Sequence, residues 1–226
     1  MKILAIECTH QLACVTVKNG SRLFERVNEE WQKTAEAIVP LVMQAMTDAG
    51  LRPAELDCVA VSSGPGSFTA LRIGMSAAKG IAFGADRPLV SVPTLLAMAL
   101  SASDHSGSSH IVPVIQSRPG EYYYSIYRRA GGEGMLEELE SSRCQSVELA
   151  GRLEKLAGEF VIVGRSIAEL AGHDAALAPF CIEASFFTAA SLLPYAEKTL
   201  SEGVDVMLAE AVPDYRQQFV PGQQKQ

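Results

Sequence analysis

The sequence of 226 residues predicts an α/β protein made of two similar subdomains. One observation is that a strand-rich segment followed by helices occurs twice, on either side of the small polar stretch Ser101–Ser109. The other is the composition, with 48% hydrophobic and 20% charged residues, which is typical of a chain with a packed core. We therefore expect an N-terminal subdomain over residues 1–104 and a C-terminal one, with a tail, over residues 105–226.

The first half begins with a predicted three-stranded meander. Apolar runs with alternating polar residues predict strands over Lys2–Glu7, Ala13–Lys18 and Ser21–Val27. The Asn19-Gly20 dipeptide between the last two favours a two-residue hairpin turn.

Helices and buried strands alternate through the rest of the first half. Apolar periodicity, with Ser67 as an N-cap and Gly50 as a stop signal, defines their bounds. In order, the predicted elements are a helix over Trp31–Ala49, a strand over Asp57–Ser63, a helix over Ser67–Gly84, a strand over Leu89–Val92 and a helix over Pro93–Ser103.

The second half repeats this order more weakly. Its predicted elements are strands over Ile111–Gln116, Glu121–Arg128 and Gly134–Arg143, a helix over Ser146–Ala157, a strand over Phe160–Val163 and a helix over Thr188–Leu200. The recurrence of strands followed by helices indicates a duplicated α/β unit.

The first two predicted helices carry more apolar surface than one sheet requires. A helix that covers only a sheet needs a stripe a little over 100° wide, whereas these stripes span about 200° and about 240°. We interpret the surplus as a surface for another subunit; the alternative is that other parts of the same chain cover both helices. The residues predicted to bind a partner are Ile38, Leu41, Val42, Ala45, Leu71, Gly74, Ala77, Ala78 and Ile81.

A glycine-rich loop joins the predicted strand Asp57–Ser63 to the predicted helix Ser67–Gly84. Gly64, Gly66 and Ser67 form a candidate anion-binding site, because free amides and the helix dipole at a helix N-terminus attract negative charge. The loop lacks the Gly-Lys-Ser/Thr of a phosphate-binding P-loop. A tight strand-to-helix connector is the alternative interpretation.

Charge and composition argue against several other functions. A net charge of −7 makes the chain a poor unaided binder of nucleic acid. Five scattered cysteines and four histidines show no metal-ligand spacing, and no apolar stretch reaches the roughly 20 residues of a membrane span. We therefore expect a cytoplasmic protein with reduced thiols, no metal site and no catalytic residue.

Four motifs between residue 1 and about residue 216 are specific enough to indicate a protein family. They are the N-terminal MKILAIECTHQLACVTV, Ser63-Gly64-Pro65-Gly66-Ser67-Phe68-Thr69, Leu71-Arg72-Ile73-Gly74 and the late Pro213-Asp214-Tyr215-Arg216. With these motifs the sequence resembles the TsaB (YeaZ) family. The resemblance implies two actin-like (RNase H-like) subdomains. It also implies a non-catalytic partner and activator of the TsaD transferase, which makes N6-threonylcarbamoyladenosine beside the anticodon of tRNAs that read ANN codons. It further implies a TsaE-like ATPase as co-worker, a homodimer or heterodimer through the first two helices, and tRNA contact only through the complex.

Four positions depart from the family pattern. Where the family usually has Asp, His, Gly and Asp, this sequence has Glu7, Lys33, Ala70 and Gln116, respectively. Each change removes a group suited to metal or phosphate, so we expect no cofactor and leave ATP or ADP binding open. The main rival is a weak ATPase or sugar-kinase-like enzyme of the same fold; a peptidase lacks a nucleophile–base pair in this sequence, and an isolated homodimer is a third alternative.

Overall fold

The structure is a computed structural model that describes residues 1–10, 12–131, 135–156, 159–203 and 208–216. Its strands form two mixed sheets of five strands each. The first sheet contains Lys2–His10 (β1), Leu12–Asn19 (β2), Arg22–Asn28 (β3), Cys58–Gly64 (β4) and Leu89–Pro93 (β5). The second contains His110–Arg118 (β6), Glu121–Arg129 (β7), Leu136–Gln145 (β8), Phe160–Gly164 (β9) and Cys181–Glu183 (β10).

The two sheets have the same topology. The strand order is β3-β2-β1-β4-β5 in the first sheet and, from the other edge, β8-β7-β6-β9-β10 in the second. In each sheet the first three strands pair antiparallel as a meander, while the fourth and fifth are added in parallel. Parallel neighbours need a crossover connection, and helices supply it here. The predicted duplication of one α/β unit is therefore confirmed.

Helices cover both sheets. They are Thr34–Ala49 (α1), Phe68–Ala85 (α2), Thr94–Ala102 (α3), Ser146–Leu153 (α4), Ile167–His173 (α5) and Leu193–Ser201 (α6). Short 3₁₀ helices occupy Trp31–Lys33, Pro53–Glu55, Glu154–Leu156, Ala178–Phe180 and Ala189–Leu192. Among the described residues, none of the helices is long and apolar enough to cross a membrane.

The predicted elements of the first half are confirmed, with bounds shifted by one to three residues. Within its described residues, the second half holds three elements that the sequence did not predict, namely α5, the 3₁₀ turn Ala178–Phe180 and β10. The predicted starting residue of β8, Gly134, and the predicted end of the fourth helix, Ala157, lie outside the described residues.

A shared core lies between the two sheets. It combines the inner face of the first sheet, α3, the inner face of the second sheet and the segment 184–196. The last helical elements cross back to the first sheet, where the Ala189 N–H donates to Cys14 Sγ at 3.4 Å and Lys18 pairs with Glu197. The strands of the first sheet all precede residue 104, and those of the second sheet all follow it. Because residues 189–197 contact the first sheet again, the division into subdomains at 1–104 and 105–226 stays a prediction.

Candidate functional site

Helices α1 and α2 lie side by side on the outer face of the first sheet. Ser67 caps α2, since its Oγ accepts from the Ala70 N–H at 3.5 Å, and Asp86 ends the helix in the left-handed region at φ 53°. Gly50 ends α1 in the same conformation, as predicted, at φ 64°. Both helices therefore end at defined caps, α2 also begins at one, and their apolar stripes meet β1, β2 and β4 in one cluster.

Most of the residues predicted to bind a partner are covered by the chain itself. Seven are buried, and only Ala77 and Ile81 are half-buried and reach the surface. The buried ones are Ile38, Leu41, Val42, Ala45, Leu71, Gly74 and Ala78. Within the single chain the stripes pack against the sheet and against each other. These seven residues therefore support the surface largely from beneath, and their part in binding a partner stays a prediction.

Apolar surface nevertheless remains on the outer side of the two helices. Val39 and Met43 on α1 are 50% and 66% exposed, and Phe83 on α2 is 78% exposed. Gly80 and Gly84 are also exposed, and a Cβ on either would have no atom within 4 Å. We call this surface the α1/α2 face. Its members are Val39, Met43, Ile73, Ala77, Gly80, Ile81, Phe83 and Gly84.

Gly74 has a packing role inside the chain. A Cβ at this position would lie 2.5 Å from Cys8 Sγ and 3.8 Å from a Val61 methyl group, so only glycine lets α2 approach the sheet this closely. The Cys8 thiol donates to the Ala70 carbonyl at 3.1 Å. Burial, with the nearby Glu7 carboxylate, raises the Cys8 pKa from 9.0 to about 12. Cys8 is therefore a neutral packing group rather than a thiolate nucleophile.

The loop with the candidate anion site is tied into the chain. The Gly64 N–H donates to Thr94 Oγ1 at 3.0 Å, and the Ser67 N–H donates to the Thr9 carbonyl at 2.9 Å. Gly66 packs so tightly that a Cβ there would lie 2.6 Å from Thr9 Cβ. Because the amides of Gly64 and Ser67 already have acceptors, the geometry favours the alternative, a tight connector.

An actin-like fold implies ATP and Mg²⁺ between the subdomains, but the side chains at the ends of β1 and β6 make contacts within the chain. Glu7 lies at 0% exposure, and its Oε1 accepts from the Thr9 N–H at 2.8 Å and the Thr9 hydroxyl at 2.5 Å. Gln116 on the second sheet donates from Nε2 to Glu169 Oε1 at 2.6 Å. Leu95 and Phe187 belong to the core that fills the space between the sheets. In the part of the chain that the structure describes, no group of three or more His, Cys, Asp or Glu could hold a metal ion.

Two sheets of the same 3-2-1-4-5 order, with helices on their faces, define a protein of the actin-like α/β class. Solved structures agree with this fold. YeaZ from Pseudomonas aeruginosa superposes with a TM-score of 0.77 at 22% identity, covering 95% of this chain and 100% of that one. An uncharacterized protein with similarity to peptidase YEAZ, from Pseudomonas aeruginosa, gives a TM-score of 0.81, also at 22% identity, covering 96% and 99% of the two chains.

Sequence comparisons define the family. The model described as TsaD, tRNA N6-adenosine threonylcarbamoyltransferase, matches residues 29–154. The tRNA threonylcarbamoyladenosine biosynthesis protein TsaB of Escherichia coli K12 is 30% identical over 219 residues, covering 95% of this chain and 94% of that protein. The TsaB protein of Bacillus subtilis 168 is 29% identical, covering 81% and 76%. The chain belongs to the TsaB family, which takes part in the threonylcarbamoyladenosine modification of tRNA.

Proposed function

We propose that this protein is the non-catalytic partner and activator of a TsaD-like transferase. That enzyme forms N6-threonylcarbamoyladenosine next to the anticodon of tRNAs that read ANN codons. The observation that carries the proposal is the exposed α1/α2 face, where Val39, Met43 and Phe83 are at least half exposed although the helices beneath them are fully packed. Large apolar side chains left exposed on neighbouring helices are a feature of protein–protein contact sites.

The family comparison supports packing of α1 and α2 against the equivalent two helices of a related chain. The transferase model matches residues 29–154, a range that contains both α1 and α2. A transferase related to this chain over that range therefore has counterparts of the same two helices. Two such faces can pack together about a two-fold or near two-fold axis, in a homodimer or in a heterodimer with the transferase.

Docking on the α1/α2 face gives the protein an architectural role. Covering the exposed apolar side chains stabilises the complex, and the exposed glycines Gly80 and Gly84 allow a partner's backbone to approach closely. A TsaE-like ATPase works with the same complex in the cytoplasm. With a net charge of −7, this chain contacts tRNA only through its partners.

Paired charge substitutions test the proposed docking. Val39→Glu with Met43→Glu places two carboxylates on the face without touching the core, and we expect it to abolish binding of the cognate transferase in light scattering and calorimetry. Val147→Glu on α4 is the matched control, since Val147 is 72% exposed on the other subdomain. Binding by the double variant at the wild-type level would refute the proposal.

The rival enzyme interpretation is tested on the isolated chain. A weak ATPase or sugar-kinase-like enzyme must bring ATP and Mg²⁺ to Glu7, which is fully buried here. We expect no tight binding of ATP–Mg in calorimetry. A tight, stoichiometric heat of binding would favour the enzyme.

A further inference from the structure

The C-terminal segment Ala211–Arg216, here called the strap, is held on the first subdomain at the start of α2. The Asp214 N–H donates to the Ser63 carbonyl at 2.6 Å. The Asp214 carbonyl lies against Gly64, which has φ +115° and no room for a side chain. The strap therefore closes over the loop that leads from β4 into α2.

Tyr215 of the strap extends this contact onto the first turns of α2. Its ring lies 4.8 Å from the Phe68 ring, and its hydroxyl accepts from Arg72 Nε at 2.9 Å. The Arg72 guanidinium also lies 3.9 Å from the centre of the Phe68 ring. Such aromatic and cation–π contacts hold side chains in a defined relative position.

The same strap is bound to the second subdomain. The Tyr123 hydroxyl on β7 donates to the Tyr215 carbonyl at 3.3 Å, and the Arg216 guanidinium donates to Ser141 Oγ on β8. Arg216 has a φ of +42°, a conformation in which Asp214 accepts from its N–H at 3.1 Å and from its Nε at 2.9 Å. Three consecutive residues of the strap, Asp214–Arg216, thus connect the start of α2 to the second sheet.

We propose that the strap couples the second subdomain to the α1/α2 face. It fixes the first turns of α2 against β7 and β8, so that a change in the second subdomain shifts the helix on which a partner docks. The link to docking rests on the proposed function, whereas the mechanical coupling does not. The strap thereby makes the second subdomain a regulator of docking rather than a passive half of the fold.

Hydrogen exchange on the isolated chain tests the mechanical coupling. Tyr123→Phe removes one hydroxyl on the second sheet, and we expect backbone amides at residues 70–72 of α2 to exchange about fivefold faster. Tyr124→Phe is the matched control, because its hydroxyl contacts Glu140 and Arg152 instead of the strap. Unchanged exchange at residues 70–72 in Tyr123→Phe, or an equal rise in both variants, would overturn the proposal.

Partner affinity tests the link to docking. We expect Tyr215→Ala to lower affinity for the cognate transferase about tenfold or more, although Tyr215 is not part of the α1/α2 face. Val212→Ala is the control and should leave the affinity unchanged, because Val212 lies in the same strap but is 63% exposed. Wild-type affinity in Tyr215→Ala would overturn the link between the strap and docking. If the wild-type chain itself fails to bind the transferase, the proposed function fails, and the exchange experiment still decides the mechanical coupling by itself.

Discussion

Replacing Gly80 by leucine separates docking from folding. Gly80 lies on the exposed side of α2, and a Cβ there would meet no atom of the chain within 4 Å. Within the isolated chain, leucine in a helix interior is favoured over glycine by about 0.5–1 kcal/mol. For a chain of this size we expect the melting temperature to rise by about 1–4 °C.

The same substitution should weaken docking on the α1/α2 face. Extra methylenes forced into a close-packed contact cost about 1–3 kcal/mol, which corresponds to a loss of affinity of about 5-fold to 150-fold. Calorimetric titration with the cognate transferase measures this loss, and light scattering measures self-association. Gly151→Leu is the matched control, because Gly151 is also an exposed helical glycine with open space but lies on α4. A Gly80→Leu variant that melts higher and binds like the wild type would refute the assignment of α2 as the docking helix.

Three further substitutions test the interior of the first subdomain. Gly74→Ala should destabilise the chain by about 1–3 kcal/mol, because the new Cβ would press on Cys8. Adding Cys8→Ala should restore most of the lost stability, and urea unfolding measures both effects. Equal stability of the wild type and Gly74→Ala would contradict the packing argument. Burial raises the Cys58 pKa from 9.0 to about 12, so the unfolded chain loses this proton first. The protonated Cys58 thiol therefore contributes to the free energy of unfolding fully below about pH 9, and this contribution falls toward pH 12 by about 1.4 kcal/mol per pH unit. Between pH 9 and pH 12 the free energy of unfolding of Cys58→Ala should fall less steeply with pH, by the same amount. Thr94→Val leaves the Gly64 N–H without its acceptor and should lower the stability measured by thermal unfolding by about 1–3 kcal/mol. Thr94→Ser keeps the acceptor and serves as the control. An equal loss of stability in the two variants would show that the hydrogen bond contributes nothing.

The sequence was informative about the repeated architecture because its signals are local. Alternation and the Asn19-Gly20 turn predicted the first meander, and apolar periodicity with caps predicted α1 and α2 to within a few residues. The strand β10 escaped prediction because three residues are too few to show a period. Strand order follows from crossover connections, which periodicity alone does not reveal.

That α1 and α2 bind a partner stays a prediction, and the structure bears only on which of their residues are exposed. A helical stripe shows which side of a helix is apolar, but it does not show which neighbour covers it, so Ala45 and Ala78 were assigned to the surface although both are at 0% exposure. The predicted set did not include Phe83, which is 78% exposed; the available signal was a large aromatic residue on the polar side of α2. The strap contact between Asp214 and Ser63 uses backbone groups only and therefore leaves no side-chain pattern to find.

The return of the final helix to the first sheet affects how the chain matures during synthesis. The amino-terminal half is synthesised with part of its inner surface covered only by α3, because α6 and the turn Ala189–Leu192, which also contact that surface, follow about 90 residues later in the chain. A chain that stops before residue 189 therefore leaves apolar side chains of the first sheet open to chaperones and proteases.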